Sequence, residues 1–241
     1  MNVKSLKFKI AVGVGTVALA VLLWLASPFF HMRELEITGN MRVSPEEIRH
    51  RLGVDSSTNL LFFNTRAARR RVMENFYIGE VYFTRSLPRR LHIEVRERRL
   101  TAYVEHMGSI LFLDDHGRVL EVRSFVTETL PFLEGLNLTR FQLGELLEVP
   151  DPVAFSAVFL YAQLLNQYRL IERVSYINAS DSSNIRIIMY NIEFNVGGIS
   201  QADEKIRTLV EILDNMPNLG TVAGFMDMRE IRDEYFFQIL Q

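Results

Sequence analysis

The feature that most constrains this chain is residues 10–30, which form 21 consecutive positions without a charged side chain. A helix rises about 1.5 Å per residue, so this run would be about 30 Å long, the thickness of a bilayer's hydrocarbon core. Trp24, Phe29 and Phe30 place aromatic rings near one end, where membrane helices meet water. We therefore predict a transmembrane helix over residues 10–30.

The same run could be a cleaved signal peptide or a buried core helix. Signal peptides have an apolar region of about 7 to 15 residues that ends at a small-x-small cleavage site. This run is longer, and its best candidate site, Leu25-Ala26-Ser27, is followed by Pro28, which hinders cleavage. The interfacial aromatic residues disfavour a core helix. The pattern therefore favours a retained anchor.

Flanking charge does not settle the orientation of this helix. Three lysines lie within residues 1–9, and three arginines follow within twenty residues of the run. A long C-terminal domain translocates largely regardless of its charge, so the short tail stays behind. We predict that residues 1–9 are cytoplasmic and that the bulk of the chain is extracytoplasmic.

The remainder divides into two parts of opposite charge. Residues 31–100 carry 14 arginines against 9 acidic residues, a net charge of +5, whereas residues 101–241 carry 10 basic residues against 20 acidic ones, a net charge of −10. This sign change predicts two modules. The chain has no cysteine, which excludes disulfides, thiolate metal sites and cysteine nucleophiles.

The first module is predicted to run strand, helix, helix, strand, strand. Ser44, Pro45 and Glu47 form a capping-box pattern at the start of the first helix. The other segments are recognised from alternation or from helical spacing of apolar residues: strand 32–37, helix 65–75, and strands 78–86 and 90–97.

This module resembles a known domain. The residues that carry the resemblance are Leu35-x-Ile37-x-Gly39-Asn40, Leu87-Pro88-x-x-Leu91-x-Ile93-x-Val95-x-Glu97-Arg98 and Ala102. They are similar to the POTRA domain of the FtsQ/DivIB family of bacterial cell-division proteins, in which a single POTRA domain follows one transmembrane helix. The resemblance implies an α+β fold with a POTRA domain at 31–101 and a β domain at 102–241.

The second module is predicted to be a mixed sheet with two helices packed on it. Short strands are expected at 102–105, 110–113, 119–120, 130–133, 171–177, 185–190 and 192–196. One helix should run from Asp151-Pro152 to about Leu170, and a second should begin at Ser200-x-x-Asp203 and stop at Pro217.

Two motifs in this module have both a structural and a chemical interpretation. Asp114-Asp115-His116-Gly117 could hold a metal, but the spacing is typical of a turn. Gly197-Gly198 lies between a strand and a helix but lacks the residues of a phosphate-binding loop, so a turn is favoured there too. We predict no metal, no cofactor and no catalytic residue.

The C-terminal end suggests a partner-binding edge. Residues 222–229 resemble the closing strand of the family, and 235–240 form a final apolar extended segment. Such an exposed edge invites β-augmentation, in which a partner adds a strand. The resemblance implies small bitopic coiled-coil partners of the FtsL and FtsB/DivIC type. The candidate contacts are Arg229, Glu230, Arg232, Tyr235, Phe236 and Phe237. The alternative is that 235–240 pairs inside the sheet.

A basic cluster in the first module has two interpretations as well. Arg66, Arg69 and Arg70, with Arg71 beside them, fall on the predicted second helix. They are either a solvated helix face or a docking patch for anionic headgroups or an acidic partner segment.

The leading functional hypothesis is a non-catalytic scaffold of the division complex at the septum, in contact with other septal wall-synthesis proteins but with no nucleic acid or small-molecule substrate. One alternative is a POTRA-bearing envelope chaperone. The other is a membrane-tethered cell-wall enzyme, which the five scattered histidines and the lack of a serine nucleophile elbow disfavour.

Overall fold

The computed structural model describes residues 3–216, 223–232 and 234–239. It divides into two compact units, Met1–Arg98 and Arg99–Gln241. The predicted fold class is confirmed: one N-terminal apolar helix is followed by a small α+β unit and by a larger sheet that carries two helices.

Helix α1 covers Val3–Leu25, and a single 3-10 turn follows at Pro28–Phe30. Residues Ala11–Phe30 are long and apolar enough to cross a membrane. The regular helix ends five residues before the predicted end of the span. The reason is local: Ser27 accepts a hydrogen bond from the backbone N–H of Phe29 at 3.4 Å, and Pro28 has no N–H with which to continue the α-helix.

The first unit has the predicted strand, helix, helix, strand, strand order. Its elements are β1 (Glu34–Thr38), α2 (Pro45–Leu52), α3 (Thr65–Val72), β2 (Ile78–Ser86) and β3 (Arg90–Glu97). Strand β3 is central, parallel to β1 and antiparallel to β2. The two helices cover this sheet with fully buried residues such as Ile48, Leu52 and Ala68, which pack on Leu91 and Ile93.

The capping box at α2 is only half formed. Ser44 Oγ accepts from Glu47 N at 3.2 Å, as predicted. The Glu47 side chain does not return to Ser44; it accepts from Arg51 at 2.9 Å and from Asn75 at 2.8 Å. Asn75 in turn accepts from Tyr77 N at 3.0 Å, which forms a turn, so α3 ends at Val72 and not at residue 75.

A glutamate far along the chain holds the loop before α2. Glu97 Oε1 accepts from the backbone N–H groups of Met41 and Val43 at 2.9 and 3.0 Å, and Oε2 accepts from Arg42 N at 2.7 Å. Three backbone donors of one loop therefore converge on one carboxylate, which fixes where α2 begins relative to β3.

The second unit is built on one sheet, whose described strands number nine. In chain order they are β4 (Ala102–His106), β5 (Ser109–Leu113), β6 (Val119–Arg123), β7 (Phe132–Glu134), β8 (Val174–Asn178), β9 (Ile185–Met189), β10 (Ile192–Gly197), β11 (Gly224–Asp227) and β12 (Phe237–Ile239). Their order across the sheet is β12-β11-β10-β9-β8-β7-β4-β5-β6. Strands β12 and β6 therefore form its two edges.

Two helices pack on this sheet, α4 (Pro152–Gln167) and α5 (Ala202–Asn215). Asp151 caps α4 by accepting from Val153 N and Ala154 N at 2.9 and 3.0 Å. The predicted cap of α5 is wrong. No side chain within the described part of the chain caps that helix, and Gln201, with φ +54°, precedes it in the left-handed region.

The start of strand β8 also differs from the sequence prediction. Residues Ile171–Arg173 form a 3-10 turn, and strand β8 begins only at Val174. The predicted stop of α5 at Pro217 lies outside the described residues, and so do Val222 and Leu240 of the C-terminal segments.

Candidate partner-binding edge

The C-terminal edge of the large sheet is made by two short strands. Strand β11 lies parallel to β10, and β12 lies antiparallel to β11 with Gly224 opposite Ile239 and Met226 opposite Phe237. Residues 237–239 thus pair inside the sheet, the alternative that the sequence left open. Since β12 is the last strand in the sheet order, its own outer backbone edge faces no other described strand.

A glycine makes room for this pairing. An added Cβ on Gly224 would lie 2.1 Å from Phe237 Cζ and 2.9 Å from the backbone oxygen of Gln238. The half-buried Phe237 ring therefore fills the space that a side chain at 224 would occupy, while packing against the main core. Sequence reasoning passed over Gly224, although it lies inside the closing-strand motif.

The loop that leads from β11 to β12 begins with an ion pair. Arg229 donates to Asp227 through Nη2 at 2.7 Å and through Nε at 3.0 Å. These hydrogen bonds lower the pKa of Asp227 and keep it ionised. The pair therefore closes the end of β11, so Arg229 has an intramolecular role in shaping the edge.

Three more candidate residues hold the same loop. The hydroxyl of Tyr235 accepts from the backbone N–H of Arg232 at 3.1 Å and donates to the carbonyl of Glu230 at 3.3 Å. The Arg232 guanidinium also pairs with the Glu230 carboxylate at 3.0 Å. These contacts order the approach to β12.

Phe236 differs from the other candidates because it is 74% exposed. Ile239, which the sequence prediction omitted, is also largely exposed. The six predicted residues thus divide into four that shape the loop, Phe237 that anchors β12, and Phe236, whose side chain is exposed. β-Augmentation requires an exposed sheet edge, to which a partner strand can bond.

Two of the four arginines in the predicted basic cluster make structural contacts. Arg69 Nε donates to the carbonyl of Val81 on strand β2 at 3.0 Å. Arg71 donates to the last carbonyls of α2, those of Arg51 at 3.0 Å and of Leu52, and so caps that helix. All four arginines are exposed, and Arg66 and Arg70, four residues apart, are the two that make no such contact among the described residues.

The two motifs with a chemical alternative both form turns. Asp114 is buried, and its Oδ1 accepts from the backbone N–H of His116 and of Arg118 at 3.0 and 2.9 Å. Donor atoms of Asp114, Asp115 and His116 lie within 4.8 Å of one another, as a cation would require. The turn already occupies the Asp114 carboxylate with backbone donors, as predicted for an Asp-x-x-Gly turn.

At the double glycine, backbone carbonyls accept from two side chains, and the N–H of Gly197 already donates to Asn195 Oδ1 at 3.1 Å. The Tyr161 hydroxyl donates to the carbonyl of Gly198 at 2.8 Å, and the buried Lys205 ammonium donates to that of Val196 at 2.8 Å. Phosphate binding requires N–H donors at such a turn. The geometry therefore fits the structural interpretation, in which α4 and α5 are tied to the end of β10.

Taken together, the fold defines a class: a protein with one N-terminal helix able to span a membrane, one small α+β unit directly after it, and a sheet with an open C-terminal edge. Residues 30–98 match the model of the POTRA domain, FtsQ-type.

Curated relatives extend the similarity over most of the chain. The chain is 24% identical to the cell division protein DivIB of Clostridium botulinum (strain Hall) over 226 residues, covering 93% of this chain and 88% of that one. It is 22% identical to DivIB of Clostridium tetani over 88% of this chain and 81% of that one. The cell division protein FtsQ of Agrobacterium fabrum matches at 23% over 51% of this chain and 39% of its own length. The chain is thus similar to DivIB and FtsQ proteins over most of its length, and its first unit matches the FtsQ-type POTRA domain.

Proposed function

We propose that this chain is a non-catalytic, bitopic scaffold of the bacterial division complex. The names of its relatives support a role in cell division. The apolar helix α1 supports anchoring in the cell membrane, with residues 1–9 in the cytoplasm and both folded units outside. A reporter enzyme that is active only after export, fused after Gln241, tests the orientation; activity restricted to a cytoplasmic reporter would contradict it.

The partner-binding element in this proposal is the outer edge of β12. A segment of a small bitopic partner of the FtsL or FtsB/DivIC type adds a strand there. Main-chain hydrogen bonds supply affinity, and contacts with Phe236 and Ile239 supply selectivity. The observation that carries the proposal is an open strand edge flanked by two exposed apolar side chains.

Photocrosslinking in dividing cells tests this edge. A photoreactive amino acid at Phe236 should capture a small single-pass protein. The matched control is Phe125, a phenylalanine that is 65% exposed and follows β6 at the opposite edge of the same sheet. Equal capture from both positions, or none from Phe236, would rule out partner addition at β12.

Septal recruitment has a separate test. A fluorescent fusion of the full chain should concentrate at mid-cell, and an even distribution around the envelope would contradict a scaffold of the septum. The exposed Arg66 and Arg70 form a proposed second docking surface. Reversing both to Glu while keeping Arg69 and Arg71 should lower recruitment without unfolding the unit, because the two retained arginines make its structural contacts.

A further inference from the structure

The exit of α1 is attached to the POTRA unit without a free linker. Only Ala26 and Ser27 separate the helix from the 3-10 turn, which ends at the buried Phe30. The carbonyl of Phe30 accepts from Leu60 N at 2.9 Å. The carbonyl of Leu25, at the end of α1, accepts from Asn59 Nδ2 at 2.8 Å. The loop 58–63 is therefore bonded directly to the helix end.

A second loop flanks the same exit. Arg89, in the turn between β2 and β3, donates through Nε to the carbonyl of Phe29 at 3.1 Å, and its guanidinium lies 5.5 Å from the centre of the Phe29 ring. The carbonyl of Arg89 also accepts from Arg33 N at 2.9 Å. The turn 86–90 thus sits beside the helix end as well.

Both loops present apolar side chains to the outside. Phe62 is 65% exposed, and Leu87 is more than half exposed. The Phe62 loop is held in place: Arg85 donates to the carbonyls of Leu61 and Phe63, at 3.4 and 2.6 Å, on either side of it. Exposed apolar side chains on two loops that are both bonded to the helix end indicate an interaction surface and not scattered surface residues.

The length of α1 sets the level at which these loops lie. From residue 10, the first after the last lysine, to Leu25 the helix is about 24 Å long, shorter than a hydrocarbon core of about 30 Å. The 3-10 turn with Phe29 must make up the difference. Side chains bonded beside that turn then lie at the depth of the lipid headgroups, where aromatic residues and arginines are favoured.

We propose that Phe62 and Leu87 insert into the interfacial region of the bilayer that α1 crosses, while Arg33 and Arg89 contact anionic lipid phosphates. The POTRA unit is then held by two loops in addition to its helix, so its orientation on the membrane is fixed. This inference rests on α1 spanning the bilayer and is independent of the partner edge at β12. Continuity with α1 and the positive charge of this face identify a lipid surface as the occupant.

The absence of native cysteine permits a direct test in the full chain. An environment-sensitive fluorophore is attached to Phe62→Cys or Leu87→Cys after reconstitution into phosphatidylcholine vesicles with and without phosphatidylglycerol. Shallow nitroxide lipids should quench both probes several-fold more than a probe at Met41→Cys. Met41 is 81% exposed and follows the opposite end of β1, so it is matched in exposure but distant from the exit.

Each outcome decides part of the proposal. Trp24, the sole tryptophan, reports the insertion of α1 in every sample, so a failure of the span is recognised separately. Stronger quenching with phosphatidylglycerol supports the arginine contacts, and equal quenching in both vesicles overturns them. If Phe62→Cys and Met41→Cys probes are equally quenched by aqueous iodide, the docking itself is overturned. Shielding that requires an added partner protein overturns a lipid occupant.

Discussion

Replacing Gly224 by alanine should release the edge strand β12 while leaving the rest of the sheet folded. The added methyl carbon would lie 2.1 and 2.2 Å from Cζ and Cε2 of Phe237 and 2.9 Å from the carbonyl oxygen of Gln238. Rotating the aromatic ring would relieve only the first two contacts. The Gln238 contact is with backbone, so the strand itself has to move.

The structure gives an expected magnitude for this change. Overpacking of this kind costs about 1–3 kcal/mol. Strand β12 contributes three register pairs, and two of its three side chains are exposed, so detaching it costs less than deforming the core. Because about 1.4 kcal/mol is a factor of ten, the ratio of detached to attached strand should rise roughly 5- to 150-fold, and partner capture from Phe236 should fall.

Hydrogen exchange measured by mass spectrometry on the full chain is the direct assay. In Gly224→Ala, amides of residues 235–239 should lose protection while those of β9 and β10 keep it. Gly198→Ala is the control, because a Cβ there meets nothing closer than 3.6 Å. Adding Phe237→Ala removes the clashing ring, so in a double-mutant cycle the free-energy costs of the two changes should be less than additive. Additive costs, or unchanged exchange in 235–239, would refute the steric argument.

Three other changes test contacts elsewhere. Glu97→Ala should destabilise the POTRA unit by about 2 kcal/mol in chemical denaturation, since three backbone donors of residues 41–43 lose a charged acceptor. The control is Glu94→Ala, on the same strand. Equal losses of stability in the two variants would contradict this role of Glu97. Burial lowers the pKa of Lys205, so the unfolded chain holds the Lys205 proton more tightly than the folded chain does. The free energy of unfolding of the wild type, relative to that of Lys205→Met, should therefore rise with pH up to the ordinary pKa of 10.5. A difference that falls with pH would refute this. Hydrogen bonds from Ser183 and Asn184 lower the pKa of Asp181 to about 2, so the stability that Asp181 contributes is complete above its ordinary pKa of 3.8 and is lost as the pH falls toward 2. In Asp181→Asn, the free energy of unfolding should therefore fall less steeply between pH 4 and about 2. An unchanged pH dependence would argue against this.

Alternating patterns in the sequence predicted the strands of the POTRA unit well. Strands β2 and β3 begin and end at the predicted residues, because the buried positions Val81, Leu91, Ile93 and Val95 alternate with exposed ones. The period of two is dictated by the sheet itself and needs no distant contact. Predictions from such segments are therefore reliable.

The ends of helices were predicted less well, for reasons that lie outside the local sequence. Helix α3 stops before Asn75 because that side chain is used by Glu47, 28 residues earlier. The predicted cap at Ser200 fails because Gln201 takes a left-handed conformation at the start of α5. Local motifs propose a cap, but tertiary contacts decide whether the side chain is available.

At the candidate edge too, local patterns predicted the strand, and distant contacts determined the roles of the individual residues. An apolar C-terminal strand could be inferred from residues 235–240, but its partner strand could not. The fit between Gly224 and Phe237 joins positions 13 apart across a strand pair. The roles of Arg229, Glu230, Arg232 and Tyr235 in shaping the loop also depend on contacts that no sequence pattern encodes. Phe236 is 74% exposed, and its role in binding stays a prediction.

The short length of β12 has a consequence for binding at this edge. A three-residue strand at the end of a sheet opens more easily than the core, so partner addition and strand ordering are linked equilibria. A partner that binds only the ordered strand stabilises it by RT ln(1 + [L]/Kd), which is about 2.7 kcal/mol at a hundredfold excess over Kd. Exchange protection in 235–239 should therefore increase with partner concentration, while protection in β6 at the opposite edge stays constant. A rise at both edges would mean that the partner stabilises the whole unit and does not add to β12.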